Sequence, residues 1–229
     1  MSVKEGCFPT AMKAVNIVPI HKGDSMLVAG NYRPISLLPI FGKIFERLIY
    51  NRLIVFITEN KVLSNLQFGF QKNKSTEHAV ASIASAIDRA KNDKKSSYCI
   101  FLDFAKAFDT VNHEILISKL DHYGVSGVSN NLMKSYLSNR TQRTEINGTL
   151  SDEGIIRHGV PQGSVLGPLL FLLYINDISE SSQILKFYLF ETTLQSFTQT
   201  KLILRHKASS ISSYLKSLTG YQLTNLASM

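Results

Sequence analysis

The chain has 229 residues, 44% of them hydrophobic, so it can bury enough apolar surface to fold as one large domain or two small ones. That composition excludes an intrinsically disordered chain. Lysine and arginine outnumber aspartate and glutamate by 25 to 17, and the resulting charge of +8 is consistent with a polyanionic partner such as nucleic acid. The basic residues are spread along the chain, which excludes a basic tail.

The cysteines and the apolar runs indicate the cellular compartment in which the protein is expected. Cys7 and Cys99 lie far apart without a zinc-ligand spacing, which argues against a metal knuckle or a disulfide framework and favours a reducing environment. Residues 1–20 lack the apolar core of a secretory signal, and the longest apolar run, residues 169–175, is too short to span a bilayer. We therefore expect an intracellular protein, nuclear or cytoplasmic, with no membrane partner. Nothing in the sequence indicates an oligomer.

The N-terminal part is predicted to begin with extended segments. Residues 15–20 are typical of a short strand that ends in a turn at residues 21–24. Two prolines within residues 31–39 forbid a helix interior, and Arg33 is held extended because it precedes Pro34. An arginine on a stiffened strand suits a fixed phosphate contact, and a surface arginine with no partner fits this residue equally well.

Two helices are predicted next. Residues 40–59 carry apolar side chains at three- and four-residue spacing, which predicts a helix with an apolar core stripe. The other face is predicted to be solvated and carries Lys43, Glu46, Arg47 and Arg52. The stripe consists of Phe41, Ile44, Phe45, Leu48, Ile49, Leu53, Phe56 and Ile57. The loop at residues 67–76 mixes aromatic, glycine and lysine residues that could stack on nucleic acid, or it is a plain turn. A second helix then runs from Ser75 or Thr76 to about Asn92.

The segment after this helix presents a carboxylate at the end of an apolar run. The run is short enough for a buried strand, Asp103 ends it, and the aromatic Phe108 follows five residues later. A carboxylate on a rigid strand end, facing a cleft, is what Mg²⁺ chemistry needs. Taken alone, however, an aspartate at such a position more often caps a turn or the helix that follows.

Local signals define the middle of the chain. A helix is predicted from residues 112–113 to Gly124, and a shorter one over residues 130–137. The Asn147-Gly148 dipeptide then predicts a hairpin that covers residues 144–156.

A glycine-rich block at residues 158–168 leads into an apolar helix predicted for residues 169–178. Gly163 and Gly167 allow the backbone to approach a flat ligand closely, and Gln162 offers both a donor and an acceptor there. Simple packing of the helix start also fits this pattern.

Taken together, these blocks resemble, in order and spacing, the reverse transcriptases of non-LTR retrotransposons. The blocks are residues 31–39, 67–76, 101–111, 158–168 and 174–177, within a match over about residues 15–194. The resemblance implies an α+β fold, with the fingers and palm of a right-hand polymerase, a small antiparallel palm sheet backed by helices, and no thumb. It divides the chain into a lead-in at residues 1–14, fingers at about 15–97, a palm at about 98–194 and a divergent C-terminal tail at 195–229.

The resemblance also implies the roles of residues that bind nucleotide. Arg33 and Lys22 correspond to the fingers residues that hold the incoming triphosphate, and Phe108 to the steric gate that excludes a ribose 2′-OH. Gln162, in a Pro-Gln-Gly sequence with Gly163, corresponds to the contact with the nascent base pair. The implied partners are an RNA or DNA template with its primer and a dNTP. Asp109 also belongs to the family pattern and is expected to be structural.

The implied catalytic centre is a two-metal site. Asp103 corresponds to the first aspartate, which binds both Mg²⁺ ions while a primer 3′-OH attacks the α-phosphate of a dNTP. The family supplies further ligands from a hairpin that reads Phe-Ala-Asp-Asp-Thr. Here Phe190 and Thr192 match the flanks, in what is predicted to be a second hairpin, and Glu191 alone replaces Ala-Asp-Asp.

Glu191 is thus the one carboxylate left to substitute for the lost metal ligands. It has a longer side chain on a shorter turn, whereas Mg²⁺ needs near-ideal octahedral geometry at about 2.0 to 2.1 Å. The resemblance therefore implies a truncated RNA-directed DNA polymerase with an incomplete Mg²⁺ site and defective catalysis. The alternative is a binding module that holds nucleic acid without extending it.

Overall fold

The structure, a computed structural model, describes residues 2–95, 98–99, 107–181, 186–190 and 227–228. The helices in this part of the chain are α1 (Ser2–Glu5), α2 (Ile40–Glu59), α3 (Thr76–Asn92), α4 (His113–His122), α5 (Gly127–Leu137) and α6 (Gly167–Ile175). The strands are β1 (Ala14–His21), β2 (Tyr32–Leu37), β3 (Tyr98–Cys99), β4 (Arg140–Ile146), β5 (Thr149–Leu150), β6 (Gly154–Ile156) and β7 (Ala227–Ser228). Short 3-10 helices cover Thr10–Met12, Ala29–Asn31 and Asn176–Ser181.

The chain divides into two compact units. The first comprises Met1–Leu63 and Lys106–Ile175, and the second comprises Ser64–Ala105 and Asn176–Met229. The first unit is therefore assembled from two separate stretches of sequence. As the sequence predicts, the protein mixes α-helices with a sheet.

The first unit is built on a five-stranded mixed sheet. Its strand order is β2-β1-β4-β5, and β6 pairs with β4. β1 and β2 are antiparallel, with Ile17 opposite Ser36 and Ile20 opposite Arg33. β1 and β4 are parallel, so this sheet joins strands that lie more than a hundred residues apart in the sequence.

The predicted hairpin around Asn147-Gly148 is confirmed. Asn147 (φ 51°) and Gly148 (φ 76°) both have the left-handed backbone that a two-residue turn requires, and they connect β4 to β5. β4 begins earlier than expected, at Arg140, and its first residues pair with β6. The hairpin signal thus marks the turn of a larger, three-stranded arrangement.

α2 has the predicted bounds, but its predicted core stripe is partly wrong. The side chains of Phe41, Ile44 and Leu48 are 74%, 53% and 57% exposed, whereas Glu46 is fully buried. The buried face of α2 follows one line along the helix, formed by Gly42, Glu46, Ile49, Leu53 and Ile57. Eight apolar residues on a helix of this length cover more than one face, and tertiary packing selects which face is buried.

The remaining helices largely follow the sequence signals. α3 begins with a capping box, in which Ser75 Oγ accepts from the His78 amide and His78 Nδ1 accepts from the Ser75 amide. The side chain of Asn112 caps α4. α5 begins at Gly127, three residues before its predicted start, and α6 ends at Ile175, where a 3-10 helix takes over.

α6 lies in the core of the first unit. All five residues of its Leu169–Leu173 stretch are at most 3% exposed, which explains why this run of sequence is so apolar. Leu116, Leu120 and Tyr136 on α4 and α5 are fully buried in the same unit. None of the helices in the described ranges has the length and apolar character needed to cross a membrane.

In the second unit, residues 66–68 run alongside Leu189. The Phe68 amide donates to the Leu189 carbonyl at 2.6 Å, and the Leu189 amide donates to the Leu66 carbonyl at 2.9 Å. β3 pairs with β7 in antiparallel register. The predicted strand-end residue Asp103 and Glu191 lie outside the described residues. Of the second predicted hairpin, residues 187–190 are described and make one isolated bridge, between Leu189 and Gln67, whereas residues 192–197 lie outside the described residues.

Candidate functional site

Two predicted phosphate-binding cations share one face of the β1-β2 ribbon. Ile20 pairs with Arg33, and beyond the strand end the Lys22 amide still donates to the Asn31 carbonyl at 2.8 Å. Paired residues of an antiparallel ribbon point to the same face and alternate residues return to it. Arg33 and Lys22 therefore lie diagonally across the ribbon on the face of Ile20.

This face is positively charged and accessible. Ile20 is 49% exposed, Lys22 is exposed and Arg33 is half-buried. Within the part of the chain that the structure describes, neither cation has an ion-pair partner, and Lys22 Nζ has only a long contact of 3.4 Å with the Gly30 carbonyl. Two cations that are not neutralised, on a rigid ribbon, can bind phosphate oxygens.

The Pro-Gln-Gly sequence lies against the same ribbon, three residues farther along β2. The Ser36 amide donates to the Gln162 carbonyl at 2.9 Å. Gly163 has φ +96°, and a Cβ atom there would lie 3.2 Å from the Ser36 carbonyl oxygen. The sequence predicts that the backbone at Gly163 approaches a flat ligand closely. In the structure, the backbone that Gly163 approaches closely is that of β2.

The turn that carries Phe108 is joined to this block on its other side. The Val160 amide donates to the Phe108 carbonyl at 2.8 Å, and Gln162 Nε2 donates to Asp109 Oδ1 at 3.2 Å. The ring of Phe108 is half-buried and packs against Phe171 at a centroid distance of 5.1 Å. Asp109, expected to be structural, thus makes a direct contact with a predicted site residue.

Sequence reasoning missed the role of Gly159, which makes this arrangement possible. A Cβ atom on Gly159 would lie 2.8 Å from both Phe108 O and Asp109 Cα, and Gly159 has φ +85°. His113 Nε2 also donates to the Gly159 carbonyl at 2.7 Å. Burial lowers the pKa of His113, and this hydrogen bond opposes that shift. The atoms that an added Cβ would meet, and the partner in the hydrogen bond, are far from Gly159 in the sequence. No local sequence signal therefore identifies the role of Gly159 or of His113.

The expected place of Glu46, on the solvated face of α2, is wrong, because Glu46 is fully buried. Its carboxylate accepts hydrogen bonds from the Val165 amide at 2.6 Å, the Tyr136 hydroxyl at 3.0 Å and the Leu166 amide at 3.4 Å. Burial raises the pKa of Glu46, and these hydrogen bonds and Arg140 oppose the rise. One sequence signal could have indicated its burial: at helical spacing, Glu46 falls on the same face of α2 as Ile49, Leu53 and Ile57.

Arg140 supplies a buried positive charge near Glu46. Its side chain is 1% exposed, Nη1 donates to the Tyr136 carbonyl at 3.2 Å, and the guanidinium lies over the Tyr136 ring at 4.9 Å. Burial and the Glu46 carboxylate raise the pKa of the Tyr136 hydroxyl, so this hydroxyl stays protonated and donates to Glu46. The buried carboxylate is thereby held between donors and a cation.

In the loop at residues 67–76, Lys74 has an internal role. Its Nζ donates to the carbonyls of Gln67 at 2.7 Å and Asn65 at 3.0 Å, and it lies over the Phe68 ring at 5.3 Å. Burial lowers the pKa of Lys74. For this lysine the structure supports the plain-turn alternative over a contact with nucleic acid.

The first unit thus carries Arg33 and Lys22 on the β1-β2 ribbon, and Gln162 and Gly163 in a segment that is bonded to β2 at Ser36 and to the turn of Phe108. The two predicted metal-binding residues, Asp103 and Glu191, lie outside the described residues. Within the described ranges, no group of three or more histidine, cysteine, aspartate or glutamate side chains could hold a metal ion. The arrangement described here can bind a polyanionic ligand through cations, a half-buried aromatic ring and an amide side chain.

Comparison with known protein families and sequences agrees with the resemblance seen in the sequence blocks. The family described as reverse transcriptase (RNA-dependent DNA polymerase) matches residues 20–217. The probable RNA-directed DNA polymerase from transposon BS of Drosophila melanogaster is 40% identical over 178 residues, which cover 75% of this chain and 19% of that protein. The RNA-directed DNA polymerase from mobile element jockey of the same species is 37% identical over 174 residues, covering 76% and 19%. The chain spans about a fifth of the length of these relatives.

A solved structure shows a similar fold. It is the structure of apo telomerase from Candida tropicalis truncated from the C-terminal domain, with a TM-score of 0.57 and 16% sequence identity. The similarity covers 92% of this chain and 46% of that chain.

Proposed function

Because the chain belongs to the reverse transcriptase family and is similar to the enzymes of non-LTR retrotransposons, we propose that residues 15–194 form an RNA-directed DNA polymerase domain by descent. In this proposal the fingers cover about residues 15–97 and the palm about residues 98–194. Its ligands are an RNA or DNA template with a primer, and a dNTP. The overall charge of +8 favours such polyanionic ligands.

The observation that carries this proposal is the placement of Gln162 beside the cationic ribbon. The Ser36 amide binds the Gln162 carbonyl at 2.9 Å, and Ser36 follows Arg33 by three residues on β2, or about 10 Å of strand. Asp109 binds the Gln162 side chain at 3.2 Å, next to Phe108. These contacts support the proposal that Arg33 and Lys22 bind the triphosphate, Phe108 lies beside the sugar and Gln162 contacts the base of one nucleotide.

Each of these side chains has a physical role in binding. Arg33 and Lys22 provide donors and positive charge to the triphosphate. Phe108 occupies the space next to the sugar and disfavours a 2′-OH. Gln162 contacts the nascent base pair, and Gly163 keeps the adjacent backbone free of a side chain.

The carboxylates in the sequence do not fit a complete Mg²⁺ site. In this family, aspartates from two strands would hold two Mg²⁺ ions, which would supply Lewis-acid chemistry for phosphoryl transfer. Asp103 is retained, but Glu191 alone stands where the family has Ala-Asp-Asp. We therefore propose that the chain binds primer-template and does not extend the primer.

A primer-extension assay on an RNA template, with Mg²⁺ or Mn²⁺, tests the loss of activity. We expect no extension by this chain. A primer that grows in the presence of the chain, and fails to grow with Asp103→Ala, would contradict the proposal. Sequencing the transcript across codons 186–194 provides a second check, because intact Ala-Asp-Asp codons would make Glu191 an artefact of the gene assignment.

A titration of labelled primer-template tests the retained binding function. We expect an affinity that falls as the salt concentration rises, because lysine and arginine displace counterions from the phosphates. Absence of binding at low salt would contradict a nucleic-acid-binding role, whatever the result of the extension assay.

A further inference from the structure

The buried carboxylate of Glu46 is bonded to the segment that carries Gln162. Glu46 is 0% exposed and accepts from Val165 N at 2.6 Å, from Leu166 N at 3.4 Å and from the Tyr136 hydroxyl at 3.0 Å. Val165 and Leu166 follow Gln162 by three and four residues. A side chain on α2 thus binds the backbone of a segment that is more than a hundred residues away in the sequence.

The segment from Pro161 to Gly167 is bonded within itself. The Ser164 amide and hydroxyl both donate to the Pro161 carbonyl, at 3.1 Å and 2.8 Å, and the Gly167 amide donates to Ser164 Oγ at 2.9 Å. Ser164 is buried, with 7% of its surface exposed, so these bonds are largely shielded from solvent. Gln162 and Val165 thus belong to one hydrogen-bonded turn.

A carboxylate matches the three donors around Glu46 better than a glutamine side chain does. An ionised carboxylate accepts at both oxygens, whereas a glutamine side chain has one accepting oxygen and an amino group that donates. A glutamine here either directs its amino group at the Val165 and Leu166 amides, which can only donate, or directs it at the Tyr136 hydroxyl, which must then turn its proton away from residue 46. A buried donor left without an acceptor is costly, and the turn can relieve that cost by moving away from α2.

We propose that Glu46 is a positioning residue for nucleotide binding, whose carboxylate holds the 161–167 turn so that Gln162 stays bonded to β2. This inference rests on the proposed function, since it assigns Gln162 to a nucleotide contact. Glu46 itself touches no ligand. Its effect is carried by the backbone of the turn and ends at the hydrogen bond between Ser36 and Gln162.

Amide hydrogen exchange of Ser36 tests this effect without any ligand, because that amide donates to Gln162 and does not contact Glu46. We expect Glu46→Gln to accelerate exchange at Val165, Leu166 and Ser36 by at least about tenfold. The matched control is Glu59→Gln, the same substitution at an exposed position on the same helix, and it should leave these amides unchanged.

Two outcomes of the exchange experiment would overturn the inference. Faster exchange at Val165 and Leu166 with an unchanged Ser36 amide would mean that the effect of Glu46 stops before Gln162. An equal acceleration at the β1 amides would mean that Glu46 contributes to global stability rather than to the position of the turn.

A double-mutant cycle on dNTP affinity, measured with bound primer-template, gives a second test. If Glu46 acts through Gln162, then Glu46→Gln should cost several-fold in affinity in the wild-type background and nearly nothing in a Gln162→Ala background. Additive losses would overturn the inference. If the wild-type chain fails to bind primer-template, the proposed function fails, and the exchange of the Ser36 amide still decides whether Glu46 positions Gln162.

Discussion

Gln162 Nε2 donates a hydrogen bond to Asp109 Oδ1 at 3.2 Å, so the side chain proposed to contact the base pair is held by the turn that carries Phe108. Removing this acceptor should leave the Gln162 amide free to rotate. We expect Asp109→Ala to weaken dNTP binding by about three- to tenfold, because water competes for this exposed carboxylate and keeps the bond near the value of an ordinary hydrogen bond. Asp109→Asn is the matched control because it keeps an accepting oxygen. Equal losses in the two variants would contradict this explanation.

Gly159→Ala should destabilise the first unit strongly. The added Cβ atom would lie 2.8 Å from Phe108 O and Asp109 Cα, and overpacking of this kind costs about 1 to 3 kcal/mol beyond the backbone strain. Gly127→Ala is the control, because Gly127 also has a positive φ but has no atom within 4 Å of an added Cβ. Urea denaturation measures both variants. Similar free energies of unfolding would show that the close contact is relieved without cost.

Arg33→Ala should weaken the binding of dNTP to the primer-template complex, and Lys22→Ala should have a smaller effect because Lys22 is more exposed. Each variant should reduce the salt dependence of binding by about one counterion if its cation contacts a phosphate. Lys61→Ala, at an exposed position beyond the end of α2, serves as the charge-matched control. An equal effect of all three substitutions would mean that only net charge matters.

Phe108→Val should reduce the discrimination against ribonucleotides. The smaller side chain leaves room beside the sugar, so the ratio of rNTP to dNTP affinity should rise by about tenfold. Phe171→Leu provides the comparison, because Phe171 packs against Phe108 at 5.1 Å and its loss should lower stability. If Phe171→Leu changes the ratio as much as Phe108→Val does, the selectivity does not arise at Phe108.

Stability should fall as the pH falls below about 6.5 in a way that depends on His113. Burial lowers the pKa of His113 from its ordinary value of 6.5, with a contribution from His158 and Arg140. As the pH falls, the unfolded chain therefore protonates His113 at a higher pH than the folded chain does. Stability from His113 is present above the unfolded pKa and is lost as the pH falls through the folded pKa.

His113→Gln cannot titrate and keeps a donor for the Gly159 carbonyl, so its unfolding free energy should depend less on pH over this range. His122→Gln, at the exposed end of the same helix, should retain the full pH dependence. Thermal denaturation at a series of pH values measures the difference. The same pH dependence in both variants would exclude His113 as its source.

The features that the sequence predicts correctly are those with local causes. The bounds of α2 follow from its apolar spacing, the start of α3 from the Ser75 cap, and the β4-β5 turn from Asn147-Gly148. Each of these signals acts within a few residues. The roles expected for Arg33 and Gln162 came from resemblance, and the structure adds their placement along β2 through Ser36.

The features that could not be predicted depend on contacts between distant residues. The spacing of α2 does not show that Phe41 is exposed while Glu46 is buried, because the donors that satisfy Glu46 belong to α5 and to the segment before α6. The need for glycine at position 159 likewise arises from the backbone of residues 108 and 109. Neither relationship leaves a pattern in the neighbouring sequence.

The parallel pairing of β1 with β4 has a consequence for synthesis of the protein. Ala14 pairs with Thr141 and Ile17 with Thr144, so the ribosome must translate well over a hundred further residues before β1 gains its second neighbour. Until then, the β1 edge of the β1-β2 ribbon is also unpaired, and such an edge can pair with another chain. A premature stop codon before residue 140 would make that exposed edge permanent. Chains cut short in this way should aggregate rather than persist as a folded N-terminal fragment.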